Sequence, residues 1–224
     1  MPDRVEQPIL FQYWEHPVPP GEVSRFMAGW DRAHPDWRHE MFDAHGAADI
    51  VKAVAGGEVA QAFWRCRLPG MRADIFRYAA LYGFGGAYVD AHIRCDRPLA
   101  REWRRAKRGL MLDRRGKLAT DVMAFRAPGD PLLGFALDSV LRNVRLKVSE
   151  NPWLVTGPGV FAKLYAAHQN APESLLEGLT IIDVDRLKTA IRVFWDVANG
   201  PAVPAASPPR SIFHTPKATS RSLP

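Results

Sequence analysis

The chain has little cysteine: Cys66 and Cys95 are the two in 224 residues, with no CxxC spacing. Two thiols build neither a disulfide framework nor a cysteine-based zinc site, so the fold must rest on an apolar core, which this length allows. Long apolar runs are also missing. No stretch nears the roughly 20 apolar residues that a membrane-spanning helix needs. The opening MPDRVEQPILFQYW lacks a basic start followed by an apolar block, so no signal peptide is read and a cytoplasmic location is expected. A glycine-rich phosphate loop is absent after the first apolar run. Glu15-His16-Pro17-Val18-Pro19-Pro20-Gly21 holds one glycine and no arginine, which argues against a nucleotidyltransferase.

Acidic residues are the minority charge, 24 against 30 Lys and Arg, for a net charge of +6. Anionic partners are therefore permitted. Eight of the basic residues fall between Arg101 and Lys117, but no nucleic-acid-binding motif and few aromatics accompany them, so nucleic acid is not expected as a partner. Leu99, Trp103, Ala106 and Leu110 recur at helical spacing among Arg101, Arg104, Arg105 and Arg108. That pattern predicts a helix with a solvated basic face, or one resting on the anionic inner face of a membrane.

What is present is an ordinary globular composition, 47% hydrophobic and 24% charged, with strand and helix patterns in alternation. Short apolar runs predict strands at 9–14, 37–42, 87–89, 109–112 and 122–126, with later ones at 179–184 and 191–197. Val23, Phe26, Met27 and Trp30 stand at the spacing of an amphipathic helix. Further helices are expected at 47–54 and 59–67, split by Gly56-Gly57, at 71–82, at 131–144, and after Thr156-Gly157-Pro158-Gly159. Six prolines from Pro201 onward mark 201–224 as a Pro-rich extended tail, leaving 1–200 as one domain. The alternation predicts an α/β layered domain with a mixed central sheet and flanking helices.

Asp90 and His92, with one residue between them at the predicted end of strand 87–89, have a spacing that lets both reach one metal ion. Such a pair is common by chance, and its context makes it specific. The stretch MRADIFRYAALYGFGGAYVDAH resembles the signature of the glycosyltransferase family with a DXD sugar-binding region, whose pattern runs A-D-x-x-R-Y-x-x-L-Y-x-x-G-G-x-Y-x-D-x-D. Ala73, Asp74, Arg77, Tyr78, Leu81, Tyr82, Gly85, Gly86, Tyr88 and Asp90 stand in the matching positions. Looser likeness continues in the strand at 9–14, in His34-Pro35-Asp36-Trp37, in Ala127-Pro128-Gly129-Asp130-Pro131 and in Thr156-Gly157-Pro158-Gly159.

The resemblance implies a GT-A-like nucleotide-sugar-binding domain that moves a sugar from a nucleoside diphosphate to a glycan, lipid or other acceptor, usually with retention. It places Asp74, Arg77 and Asp90 in catalysis, with Asp74 and Arg77 gripping the donor sugar and Tyr13 and Trp14 packing the base and ribose. Gly157 would offer backbone N–H groups to the diphosphate. Asp90 and His92 would hold Mn²⁺ or Mg²⁺. His92 replaces the family's second aspartate, so a preference for Mn²⁺ is expected, with activity lost below roughly pH 6 as imidazole protonates. The family's asparagine before the fifth strand has no clear counterpart, and Asp121 is nearest. Some related transferases complete the site from the C-terminal segment, where this chain has His214. The competing readings are a catalytically decayed nucleotide-sugar-binding protein and a basic module that docks on anionic surfaces.

Overall fold

The computed structural model describes residues 7–168, 175–194 and 212–213. Ile9–Tyr13 is the first strand, β1, and its apolar residues are covered on both sides. Helix α1, Gly21–Ala33, turns Val23, Phe26, Met27 and Trp30 inward as their spacing predicts. β2 is Arg38–Phe42. Helical residues then run from Ala44 to Arg65 as α2, broken where Gly56 adopts φ 85° and ψ 172°. The expected split at the paired glycines is therefore a sharp kink.

Helix α3, Pro69–Phe84, opens on a proline in its first turn, where a missing N–H costs nothing. It ends at Gly85 and Gly86, both with positive φ. A Cβ on Gly86 would lie 2.4 Å from the Ile9 carbonyl oxygen, so glycine lets β3, Gly86–Val89, run close beside β1. β4 is a short strand not foreseen in the sequence, Ile93–Cys95; α4 is Ala100–Arg105; β5 is Gly109–Asp113 and β6 is Leu118–Phe125. Helices α5, Pro131–Leu146, and α6, Pro152–Val155, follow. A 3-10 turn at Pro158–Phe161 leads into α7, Ala162–His168; β7 is Leu179–Asp183 and β8 is Ile191–Val193.

Six strands form one mixed sheet in the order β2-β1-β3-β6-β5-β7, and β4 pairs with β8 apart from it. β1 lies parallel to β2 and β3, and β5 parallel to β7, whereas β6 runs antiparallel to both of its neighbours. One face, with Phe11, Tyr88, Met111, Met123 and Phe125, packs under α2, α3 and α5. The other, with Leu10, Ala87, Val89, Leu110 and Val122, packs against Trp30 of α1 and Trp103 of α4. This is the layered α/β domain with a mixed sheet and flanking helices that the alternation of patterns predicts.

One expectation needs correction. The basic helix through Leu110 is six residues long, not three turns. Leu110 belongs to β5, because Gly109 starts a close pairing with β6: a Cβ there would sit 2.6 Å from the Ala124 carbonyl oxygen. Of the segment 201–224 the structure describes Ile212 and Phe213. Ile212 and Phe213 are buried, Arg67 N–H donates to the Ile212 carbonyl at 2.8 Å, and Phe213 bridges to Cys66. The rest of that segment, His214 included, lies outside the described residues. Among the described residues no helix is long and apolar enough to cross a membrane. Both cysteines are free thiols, and burial pushes Cys66 up to about 12 and Cys95 up to about 11.

Candidate functional site

β1 and β3 point their carboxyl ends the same way, and the loops beyond them meet the amino end of antiparallel β6. In open α/β sheets ligands collect at such an edge. Helix α3 runs back from this edge and is buried over nearly its whole length, so its charged residues face other protein groups and not water.

Arg77 is the hub. It is 4% exposed, and every nitrogen of its guanidinium is engaged. Nε donates to the Ala73 carbonyl at 3.2 Å, and one terminal nitrogen to the Thr120 carbonyl and hydroxyl at 2.7 and 2.8 Å. The other reaches Asp90 Oδ1 at 2.9 Å and Asp74 Oδ1 at 3.4 Å. The guanidinium also lies 4.6 Å from the centre of the Tyr88 ring, whose hydroxyl donates to Asp90 at 2.8 Å. Burial alone would lower the Arg77 pKa, but Asp90, Tyr88 and Asp74 together hold it above its ordinary value. With four hydrogen bonds and an ion pair to Asp74, Arg77 organises two carboxylates and has little left for a phosphate.

Asp74 takes its second bond from the Thr156 hydroxyl at 2.9 Å, across 82 residues of sequence. Tyr78 fixes that loop by donating to the Thr156 carbonyl at 3.0 Å. Burial pushes the Asp74 carboxyl up to about 6, with Arg77 and Thr156 pulling against it and Asp90 adding to it. A buried acid beside a buried guanidinium is the kind of perturbed group that functional sites gather. The i, i+3 pair of Asp74 and Arg77 is therefore interior and shared, not a surface ion pair worth a few tenths of a kcal/mol.

β6 supplies the remaining members of the cluster. Met111 pairs with Met123 and Leu112 with Ala119, so Thr120, Asp121 and Val122 bulge opposite a single step of β5. Bulges re-aim side chains beside active sites. This one delivers Thr120 to Arg77, and Asp121 to Arg114 at 2.6 Å. Asp121 is 8% exposed, and burial and then Asp90 raise its pKa, with Arg114 and Arg77 opposing. Its Oδ1 is buried with no hydrogen-bond partner.

The structure brings Asp74, Arg77 and Asp90 together, sets Gly157 beside Asp74, and turns Tyr13 into the core. Tyr13 turns into the core, 5.9 Å from the Phe76 ring, and its hydroxyl donates to Glu15, which also pairs with Arg72. Trp14 is half-buried against Val23, Met27 and Ala91 at the end of β1. Gly157 does not aim its N–H at a ligand, since it donates to the Pro152 carbonyl at 3.1 Å. Its own reason is space: a Cβ there would lie 3.0 Å from Trp153 Cα and 3.5 Å from Asp74 Oδ2. His92 sits in the turn after β3, with its carbonyl accepting from Phe194 N–H at 3.1 Å. Among the described residues no three His, Cys, Asp or Glu converge as a metal cage. A cation that donor phosphates complete needs only one or two protein carboxylates, and Asp90 with the bare oxygen of Asp121 fits that demand.

Residues 20–109 match the family described as the glycosyltransferase sugar-binding region containing DXD motif, from α1 to the first residue of β5. That stretch of the chain is similar to the sugar-binding region of the DXD glycosyltransferases. Over 73 residues it is 32% identical to the initiation-specific alpha-1,6-mannosyltransferase of Schizosaccharomyces pombe (strain 972 / ATCC 24843), which is 31% of this chain and 18% of that protein. The match thus spans under a fifth of that relative's length. Among solved structures, the PaToxG glycosyltransferase superposes with a TM-score of 0.48 at 14% identity, covering 73% of this chain and 68% of that one. A transferase with two cysteine-to-serine substitutions superposes with a TM-score of 0.39, also at 14% identity, over 75% and 87%.

Proposed function

We propose that the protein is a glycosyltransferase of the GT-A type that moves a sugar, a hexose, from a nucleoside diphosphate to a glycan or lipid acceptor with retention at the anomeric carbon. The observation that carries this is the buried Asp74–Arg77–Asp90 cluster at the carboxyl edge of β1 and β3, inside the matched sugar-binding region. Two carboxylates locked by one guanidinium are preorganised acceptors for sugar or ribose hydroxyls, and preorganisation is what a transferase needs at the reacting carbon. Trp14, half-buried at the end of β1, offers a ring for the base. A divalent cation held from Asp90 would neutralise the departing diphosphate as a Lewis acid, with Mn²⁺ or Mg²⁺ as the candidates.

Glycan assembly at the cytoplasmic face of a membrane suits the net positive charge and the exposed Arg97, Arg101, Arg104 and Arg105 around α4. The second reading, a donor-binding protein that has lost turnover, is favoured by His92 standing where the family has a carboxylate.

A thermal-shift screen of nucleotide sugars with and without Mn²⁺ tests the donor site. Ligand at about 100 times its Kd adds about 2.7 kcal/mol of apparent stability, so at least one donor should raise the melting temperature. No shift with any donor contradicts the proposal. A shift without release of nucleoside diphosphate selects the second reading.

A further inference from the structure

We infer that the chain holds its divalent cation between Asp90 and Asp121, two carboxylates opposed across the β3–β6 ladder, and not between Asp90 and His92 along the chain. The inference rests on the donor-site reading above and adds to it which groups form the cation site. Asp90 and Asp121 are ladder neighbours, with Asp90 N–H donating to the Asp121 carbonyl at 2.9 Å. The three-residue bulge of β6 puts Asp121 at this edge. Each carboxylate is half spent. Asp90 uses Oδ1 on Arg77 and Tyr88, and Asp121 uses Oδ2 on Arg114.

What remains is a charged oxygen with nothing to accept. Asp121 Oδ1 is buried without a partner in a residue 8% exposed. Native proteins rarely leave such an atom bare, because the lost hydration is not returned. A hard divalent cation is its natural complement, since oxygen donors suit Mg²⁺ and Mn²⁺ and phosphate oxygens fill the rest of the shell. Two protein carboxylates suffice for that arrangement, which agrees with the lack of a three-ligand group among the described residues. The D-x-D pair that relatives carry along one chain segment is here rebuilt across two strands. The turn that holds His92 is tied by the backbone contact of its carbonyl with Phe194 N–H. An all-oxygen set also removes the preference for Mn²⁺ that an imidazole ligand would impose.

The test is Mn²⁺ binding, followed by electron paramagnetic resonance on the full chain with Mn²⁺ alone and with Mn²⁺ plus UDP or GDP. Asp121→Asn, which keeps the side chain's shape, should weaken Mn²⁺ binding about tenfold or more, while His92→Ala should stay within about threefold of wild type, judged against the tenfold scale of losing support at a metal site. If Asp121→Asn binds Mn²⁺ as wild type does, or His92→Ala carries the loss, the inference is overturned. Spin-echo modulation on the wild-type protein needs no variant: the inference requires no imidazole nitrogen coupling to bound Mn²⁺, and such coupling would sink it. Wild-type protein that binds no Mn²⁺ would also overturn it. Binding of UDP or GDP without metal reports the donor reading separately, so the two can fail independently.

Discussion

The two faces of the central sheet are built from different materials. Beneath α3 the layer is apolar until the strand ends, where three carboxylates and two guanidinium groups are packed into the edge. On the opposite face Leu10, Val89, Leu110 and Val122 meet Trp30, Trp37 and Trp103 around an apolar cavity, with His34 as its polar member. His34 is fully used there. Its Nδ1 faces the Trp30 carbonyl at 3.1 Å and its Nε2 accepts from Leu99 N–H at 3.0 Å, and burial lowers its pKa. One face spends its buried polar groups on organising a site, the other on tying α1 to the approach to α4. Both are interior, so burial alone does not mark function; charge that is organised but incompletely satisfied does.

Substitutions on each face should separate these roles. The largest effect is expected at Arg77. Arg77→Met strands Asp74 and Asp90 without their cation, and breaking a buried ion pair from one side costs about 3–5 kcal/mol, to be read by urea melts. On the opposite face Trp103→Ala removes a side chain that Arg126 also stacks on, at 4.6 Å. It should cost about 3–5 kcal/mol at most while donor binding to the folded protein stays intact. Loss of donor binding there would blur the division between the faces.

A smaller effect sharpens the comparison through pH. The Asp74 carboxyl is raised from 3.8 to about 6 by burial. Its contribution favours the folded chain fully below pH 3.8 and is lost as pH rises through about 6. Asp74→Asn should therefore gain stability relative to wild type between pH 4.5 and 7.5, measured by denaturant melts. Donor binding by wild type should weaken as pH falls through about 6, as the carboxylate becomes protonated. The smallest effect belongs to the exposed charges of α4: Arg101→Gln with Arg104→Gln should change stability by no more than about 0.5 kcal/mol each.

Much of this was legible in the sequence where neighbours in the chain are neighbours in space. Asp74, Arg77 and Asp90 sit on one helix-turn-strand whose spacing is set by helical geometry and by Gly85-Gly86, so a linear pattern captured them. Thr156 stands in a stretch that the likeness marks, but its bond to Asp74, 82 residues away, and the β6 bulge, set by how β5 pairs, leave no local trace. Tyr88 stands in the matched pattern, but its hydroxyl bond to Asp90 becomes visible only with the strand in place. Leu99, Trp103 and Leu110 all face inward, which imitates a helix, but Leu110 does so from a strand. The reading of Gly157 as a phosphate cradle missed that the preceding turn of α6 already claims its N–H.

The central claim is that the carboxylates organised by Arg77 handle a nucleotide-sugar donor. Its most direct test is nucleoside diphosphate release from a panel of donors with Mn²⁺, by wild type and by Asp90→Asn side by side. The account predicts slow release from at least one donor by wild type and a fall of about a hundredfold or more in the variant, the scale of losing a preorganised electrostatic group. Equal rates in the two proteins would contradict it.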